Sequence, residues 1–299
     1  MAESGTMNVQ RRREMREGYL FIAPAFIHLL IFVILPIFAA IYLSFHNWNI
    51  LNPSRPFVGL ENYKRLWSDE LFWMSLKTTL YYTVVSVPIG IVLSLALAMA
   101  MKAPLKGIGI FRTAYFLPVI TSMIVVSLVW TWMFDPLSGL LNYYLKMLGL
   151  RPQAWLADPF MAMPSIIILS VWKSLGYNMV IFLAGLQAIP DMYYEAARID
   201  GANAWQQFRR ITLPLLRPTT FFILITTLIS SFQVFDQVYV MTGGGPANLT
   251  KVLVYYIFEV AFHYFEMGYA SALSFILFLF TLVLTALQFK LMSKDSYTL

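Results

Sequence analysis

The chain has 299 residues, of which 59% are hydrophobic and 12% are charged, whereas an ordinary soluble domain has about 25% charged residues. Its net charge of +6 is accounted for by the placement of Lys and Arg around a membrane, so nucleic acid is not an expected partner. The absence of cysteine excludes disulfides, Cys-ligated metal centres and thiol catalysis. The composition therefore favours an integral membrane protein.

Six apolar runs exceed the roughly 18 residues that a helix needs to cross a bilayer. They predict an all-α integral membrane protein with six transmembrane helices. The predicted spans cover residues 19–45, 76–101, 111–134, 164–187, 219–242 and 269–292. The first run is longer than the roughly 7–15 residue core of a secretory signal, so we expect it to be retained. The predicted domain organisation is a cytoplasmic N-terminal segment (1–18), a membrane domain (19–292) and a cytoplasmic tail (293–299).

Three prolines lie inside predicted spans, namely Pro36, Pro88 and Pro118. A membrane helix tolerates proline when neighbouring groups satisfy the freed carbonyl. Kinks are therefore expected at these positions.

Lys and Arg are distributed unevenly between the loops. Thirteen of them lie in the N-terminal segment, the 2–3 connection, the 4–5 connection and the tail, whereas seven lie in the remaining loops. Because cytoplasmic loops are enriched in Lys and Arg, both termini and the 4–5 connection are predicted to be cytoplasmic.

The 4–5 connection, residues 188–217, carries signals for a helix, a turn and a second helix. Asp191 can cap the first helix, and Gly201 can end it in the left-handed conformation. Asn203 and Gln206 have the spacing of a capping box, and Pro214 is expected to end the second helix. Three apolar side chains are expected to anchor that helix to the bundle: Trp205, Phe208 and Ile211. The alternative is an amphipathic helix that lies against lipid headgroups.

Several motifs resemble one transport family. The 188–217 connection contains Glu195-Ala196-Ala197, then Gly201 and, after nine further residues, Ile211-x-Leu213-Pro214. This pattern resembles the EAA signature of permease subunits of bacterial ABC importers. The IDGA stretch at 199–202 is similar to the carbohydrate-uptake branch. Further motifs look like the larger-permease type of the maltose and glycerol-3-phosphate importers: FVGLENY (57–63), FLP (116–118), GYN (176–178) and TGGGP (242–246). The large outer domain and additional N-terminal spans of the maltose permease have no counterpart here.

The resemblance implies a fold, a function and partners. The fold is a type I ABC-importer permease with a cytoplasmic coupling helix between spans 4 and 5. It would carry a sugar or related polyol across a bacterial inner membrane together with a second permease, two ABC ATPase subunits and an external solute-binding protein. ATP and Mg would bind the ATPases, since this chain has no phosphate-binding loop motif and is expected to be non-catalytic and without a cofactor.

The resemblance also assigns residues. In that family the helix–turn–helix fits a cleft on the ATPase, and a glutamate at the Glu195 position approaches a basic ATPase side chain. The expected ATPase-coupling residues are Glu195, Ala196, Ala197, Asp200, Gly201, Ile211, Leu213 and Pro214.

Strongly polar side chains are rare within the spans, and such groups usually face a cavity or a partner. The candidates for lining a translocation path are Lys173, Tyr177, Asn178, Gln233 and Asp236. Alternatively, Lys173 and Asp236 only neutralise each other or backbone groups. The histidines, at positions 28, 46 and 263, match no metal-ligand spacing, so no metal site is predicted.

Two other functional classes make different demands on the sequence. In an ion-coupled secondary transporter Lys173 and Asp236 would form the relay, but that class predicts repeated broken helices, which the sequence does not indicate. A membrane enzyme would need convergent acid, base or metal groups, and the sparse polar residues within the spans argue against one.

Overall fold

The computed structural model describes residues 3–52, 54–102 and 106–293. Within these ranges the chain is helical, with only isolated β-bridges between extended residues. The helices are α1 (Glu3–Leu29), α2 (Leu35–Ser44), α3 (Glu61–Ser68), α4 (Glu70–Met101), α5 (Ile108–Ile120), α6 (Met123–Met133), α7 (Leu140–Met147), α8 (Ala162–Gln187), α9 (Met192–Ile199), α10 (Ala204–Gln207), α11 (Leu213–Leu215), α12 (Arg217–Phe232), α13 (Asp236–Met241), α14 (Leu253–Phe258) and α15 (Met267–Ser293). Three π-helical turns cover Leu30–Ile34, Phe208–Thr212 and Glu259–His263.

The candidate membrane spans agree in number with the prediction. Four helical stretches are long and apolar enough to cross a bilayer: Arg11–Ser44, Glu70–Met101, Ala162–Gln187 and Met267–Lys290. Two bent pairs also qualify, α5 with α6 at 102° and Ala204–Leu215 with α12 at 64°. Counting each pair as one span gives up to six. The all-α membrane fold class is therefore confirmed.

Two predicted spans are not continuous helices. The span predicted at 111–134 breaks after Ile120, where Thr121 has extended backbone angles (φ −79°, ψ 149°). Pro118 lies in the last turn of α5. A proline ring clashes with the backbone of the preceding turn, so it disturbs a regular helix there. The span predicted at 219–242 ends at Phe232 and resumes at Asp236, and its sequence offers no proline to explain that break. Pro88, in contrast, lies within the unbroken α4.

One compact unit comprises Met1–Ser68 and Val260–Ile276. Its long apolar helix, Arg11–Ser44, leaves nearly all its side chains exposed within the unit. At the end of that helix the chain is held by contacts with α3 and the 265–269 segment. Arg65 forms an ion pair with Glu266 at 2.7 Å and lies over the ring of Tyr269 at 4.1 Å.

The second unit comprises Asp69–Glu259 and Leu277–Leu299. Asp69 caps α4 by accepting hydrogen bonds from the backbone N–H groups of Leu71 and Phe72, and α4 packs extensively on α8. Much of the buried face of α4 consists of small and hydroxyl side chains, which allow membrane helices to approach closely. They include Ser75, Thr79, Thr83, Ser86, Gly90, Ser94 and Ala98.

The loops of this second unit are fixed by buried polar contacts. Asn142 donates to the Gln153 carbonyl at 2.8 Å and accepts from Trp155 Nε1 at 2.9 Å. Lys251 and Glu259 form an ion pair at 2.6 Å with both side chains largely buried. Because these groups are paired, the loops can fold without leaving buried charges unsatisfied.

Candidate functional site

The 188–217 segment forms the predicted helix–turn–helix. Helix α9 ends at Ile199, and the chain turns at Gly201, whose φ of +77° lies in the left-handed region. Asn203 and Gln206 form a reciprocal capping box, with bonds of 2.8 and 2.9 Å between side-chain oxygens and backbone N–H groups. One expected detail is wrong, because Asp191 makes no side-chain capping bond at the start of α9.

The second helix of this segment is less regular than predicted. It starts as α10, widens into the π-helical turn Phe208–Thr212, and continues as α11 to Leu215. It therefore runs one residue past Pro214, which sits in the first turn of α11. The second helix therefore ends within one residue of the predicted position.

The residues of the EAA signature divide between a free surface and an anchor. Glu195, Ala196, Asp200 and Gly201 are exposed, and Ala197 is half-buried. Ile199, between them, is 87% exposed in this chain. In the second part of the signature Ile211 packs against the apolar core, Pro214 is half-buried and Leu213 is partly exposed. The first half of the signature is therefore available to another molecule.

Tyr194 joins the segment to the membrane helices. Its hydroxyl hydrogen-bonds Thr212 Oγ1 at 3.0 Å, which ties α9 to the second helix. Lys102, just after α4, places its ammonium 4.8 Å from the centre of the Tyr194 ring. Tyr194, Ile211 and Leu215 also pack on a buried cluster formed by α4, α8 and α12, including Met101, Phe182, Leu186 and Ile223. A displacement of α9 therefore reaches these helices through direct contacts.

The expected anchor of the second helix is only partly correct. Ile211 packs on the core and Phe208 is half-buried. Trp205 is 66% exposed, and its ring contacts Phe208 at 5.4 Å. Trp205 therefore does not anchor the helix, because it lies one turn closer to the free end of the segment.

A cavity of about 310 Å³ lies among the helices of the second unit. Hydroxyl groups, one amide and one ammonium face it, and apolar side chains complete its wall. The lining residues are Tyr82 and Ser86 of α4, Val119 of α5, Met123 of α6, Ser170, Val171, Lys173, Ser174 and Tyr177 of α8, Thr227, Ser230 and Ser231 of α12, and Gln237 of α13.

The polar groups of this cavity are held by hydrogen bonds between helices. Gln237 donates to Tyr82 at 3.3 Å and to Ser170 at 3.1 Å, which joins α13 to α4 and α8. Ser231 donates to Thr83 at 3.0 Å. The lining therefore presents donors and acceptors from several helices to one volume.

Two of the five predicted path residues line the cavity, namely Lys173 and Tyr177. Asn178 is buried with its amide nitrogen unpartnered among the described residues, and it is not part of the lining. Gln233 is exposed at the break between α12 and α13, and Asp236 is half-buried at the start of α13. Lys173 does not pair with Asp236; it donates to the carbonyls of Pro118 and Thr121 at 2.9 and 2.8 Å.

The hydroxyl lining was missed, although the sequence contains a signal for it. On α8, Lys173, Ser174 and Tyr177 lie three, four and seven residues after Ser170, which places all four on one helix face. Thr227, Ser230 and Ser231 repeat the pattern on α12, and Tyr82 and Ser86 repeat it on α4. Hydroxyls at this spacing in apolar spans indicate a polar face.

The comparisons with known proteins agree on one family. Residues 75–294 match the family model described as "Binding-protein-dependent transport system inner membrane component". The chain is 40% identical over 276 residues to the probable ABC transporter permease protein YurN of Bacillus subtilis (strain 168), covering 91% of this chain and 94% of that one. It is 39% identical over 281 residues to the trehalose/maltose transport system permease protein MalF of Thermococcus litoralis, covering 93% and 94%.

A third relative and two solved structures extend the comparison. The lactose transport system permease protein LacF of Rhizobium radiobacter is 39% identical over 295 residues, covering 97% of this chain and 98% of that one. A bacterial ABC transporter that imports the acidic polysaccharide alginate has a TM-score of 0.84 at 23% identity, covering 97% and 100%. The same kind of transporter bound to a pentasaccharide-loaded periplasmic protein has a TM-score of 0.85 at 23% identity, covering 98% of each chain. These structures share the fold.

Proposed function

The chain belongs to the family of inner membrane components of binding-protein-dependent transport systems, and we propose that it is a permease subunit that carries a sugar or related polyol into a bacterial cell. As a member of this family with several apolar helices, it is a multi-pass inner membrane protein. Relatives at 39% identity are named for trehalose and maltose and for lactose. A relative at 38% identity is named for sn-glycerol 3-phosphate, so the class includes phosphorylated polyols.

The lining of the cavity supports a carbohydrate as the cargo. Sugar hydroxyls both donate and accept hydrogen bonds, and the Ser, Thr and Tyr hydroxyls and the Gln237 amide can do the same. Tyr177 adds an aromatic ring at the wall. A volume of about 310 Å³ lies at the lower end of the range of about 300–1,000 Å³ that is usual for small-molecule sites.

The exposed 188–217 segment is the observation that carries the proposed coupling to an ATPase. Glu195 and Ala196 lie on its free face, whereas Tyr194 and Ile211 fix the same segment to α4, α8 and α12. An ATPase cleft that seats α9 would therefore move these helices when the ATPases close. Each arrangement of the ATPases then favours one arrangement of the permease, which is the thermodynamic requirement for coupling.

The remaining subunits follow from the same proposal. A second permease would complete the path, two ABC ATPases would bind ATP and Mg, and an external solute-binding protein would deliver the sugar. This chain would contribute the path and the coupling segment and would perform no catalysis. Both termini and the 188–217 segment would face the cytoplasm.

Affinity purification with two charge-reversed variants tests the ATPase contact. We expect the wild-type chain and Glu14→Lys to recover an ATPase and a second permease from mild detergent. Glu195→Lys should recover at least tenfold less ATPase, which corresponds to about 1.4 kcal/mol. Glu14 is a matched control because it is also exposed and carries the same charge. Equal ATPase recovery with Glu195→Lys would contradict the proposed contact.

Uptake by reconstituted vesicles separates the importer from the ion-coupled alternative. The probes are labelled maltose, lactose, trehalose and sn-glycerol 3-phosphate. We expect uptake of one of them to require ATP at the cytoplasmic face and to persist when a protonophore collapses the proton gradient. Uptake by the chain alone, driven by an ion gradient and abolished by the protonophore, would support the secondary transporter.

A further inference from the structure

The break in span 3 leaves backbone carbonyls that need partners. The last carbonyls of a helix have no intrahelical donor, and the proline ring of Pro118 also removes one N–H from the ladder. The Pro118 carbonyl accepts from the N–H and hydroxyl of Thr121, at 3.3 and 2.6 Å. The Thr121 carbonyl accepts from Lys173, which also donates to Pro118. One side chain of α8 thus caps the carbonyl end of α5 at the break.

The position of Lys173 also suits its charge. The carbonyl end of a helix carries partial negative charge, and a cation there is stabilised. Among the described residues that line the cavity there is no carboxylate, and no ion pair of Lys173 is present in the described part of the chain. The carbonyl end of α5 is therefore the partner of this ammonium within the span.

The backbones of α5 and α8 meet at this point. A Cβ at Gly176 would overlap the carbonyl group of Tyr115 in α5. The absence of a side chain at Gly176, three residues beyond Lys173, lets the two helices approach closely enough for the lysine to reach the break.

Side chains from both sides of the break line the cavity. Val119 and Met123, on either side of the break, both line it together with Lys173. An ammonium has three donors, and two of them are used by the carbonyls of Pro118 and Thr121.

We propose that Lys173 is a positioning residue that holds span 3 in its bent form, and that a sugar oxygen in the cavity accepts its third donor and so binds the bent form preferentially. The second part rests on the proposed function. Since a ligand shifts an equilibrium toward the state that it binds better, sugar occupancy then favours the bend. By the same linkage, loss of the bend weakens sugar binding.

Spin-label distances within the assembled transporter test this device. The chain has no cysteine, so labels at Ile110→Cys and Trp132→Cys, which are exposed positions in α5 and α6, are specific. A straight helix between them would span about 33 Å, whereas the 102° bend brings its ends to about 20 Å. The pair is measured in the wild-type background, in Lys173→Met and in Lys173→Arg.

Without sugar we expect the short distance in the wild type and in Lys173→Arg, which keeps the charge and the donors. Lys173→Met should lose the bent population by about tenfold, because two charge-assisted hydrogen bonds are removed. Identical distances in Lys173→Met and wild type would overturn the proposed lock. If Lys173→Met fails to assemble, an unchanged short distance in Lys173→Arg supports the lock and a lengthened one contradicts it.

Sugar dependence is then measured with whichever of maltose, lactose, trehalose or sn-glycerol 3-phosphate is taken up. That compound should narrow the wild-type distribution toward the short distance. Lys173→Met should need a several-fold higher concentration for half-maximal transport, and Lys173→Arg should restore it. If a transported compound leaves the wild-type distance distribution unchanged, the proposed linkage between sugar binding and the bend is contradicted, whereas the proposed lock is not. Failure to transport any of the four contradicts the proposed cargo, while the sugar-free distances still decide the lock.

Discussion

The carboxamide of Asn62 closes the end of the first apolar helix. Its nitrogen donates to the carbonyls of Ser44 and His46 at 2.8 and 3.1 Å, and its side chain is buried. The neighbouring Tyr63 hydroxyl bonds Ser44 Oγ at 2.6 Å. The FVGLENY motif thus has a physical role in this chain, because it supplies partners for carbonyls that a helix end leaves unsatisfied.

Replacement of Asn62 by alanine should therefore destabilise the protein. Two buried carbonyls would lose a donor, and we expect a loss of about 1–3 kcal/mol in the free energy of unfolding. Asn52→Ala is the control, since Asn52 is exposed and, within the part of the chain that the structure describes, its side chain bonds the nearby Ser54. Thermal unfolding in detergent should give a clearly lower Tm for Asn62→Ala alone. Equal Tm values would refute the assigned role.

For single residues, the sequence did not show which side of each helix faces the cavity, and this limited the prediction of lining residues. Lys173 and Tyr177 are four residues apart and share the cavity face, whereas Asn178, five residues after Lys173, points to another face. The phase of Gln233 and Asp236 could not be obtained by counting, because the helix stops at Phe232 and restarts at Asp236. Polar character alone therefore selected some residues that do not line the cavity.

The turn between the two helices of the 188–217 segment depends on one glycine. Gly201 has φ +77°, and a Cβ added there meets no atom within 4 Å. A larger side chain would therefore fit, and its effect must arise from the left-handed backbone. Ala202 N–H bonds the Ala197 carbonyl at 2.8 Å, so the same backbone conformation also closes the end of α9.

Gly201→Val should disturb this element by about 1–2 kcal/mol, the cost of the left-handed conformation for an L-residue. Gly149→Val is a matched control, because Gly149 has φ +71° and equally open surroundings but lies in the loop after α7. We expect both variants to lose similar stability by thermal unfolding. Only Gly201→Val should lose ATPase in affinity purification, and equal ATPase recovery from both would contradict the role of this turn.

Helix ends and turns could be predicted from the sequence where residues close in the chain determine them. Gly201 and the Asn203–Gln206 pair are local signals, and the turn and the capping box formed where they indicate. The break in span 3 was not predicted, since Pro118 alone is compatible with a mild kink and with a full break. What fixes the break is Lys173, which lies 55 residues further along the chain than Pro118. Such a contact requires the packing of α5 against α8.

For the whole molecule, the broken helices change one sequence argument. The ion-coupled alternative was disfavoured because broken helices were not expected, yet span 3 is bent by 102° and span 5 is interrupted between Phe232 and Asp236. That premise is wrong. The assignment to an ATP-driven system therefore depends on the family match over residues 75–294 and on the exposed EAA segment, and not on helix continuity.

The orientation of the whole chain is the last prediction and follows from its basic residues. Because Lys and Arg concentrate in the loops assigned to the cytoplasm, Ala204→Cys should lie inside and Lys146→Cys outside. Both side chains are exposed, and the chain has no cysteine of its own. A membrane-impermeant maleimide should label Lys146→Cys in intact cells and Ala204→Cys only after permeabilisation. Equal labelling of both variants after permeabilisation shows that the two thiols react alike. The reverse pattern in intact cells would require the opposite orientation. The 188–217 segment would then be out of reach of a cytoplasmic ATPase.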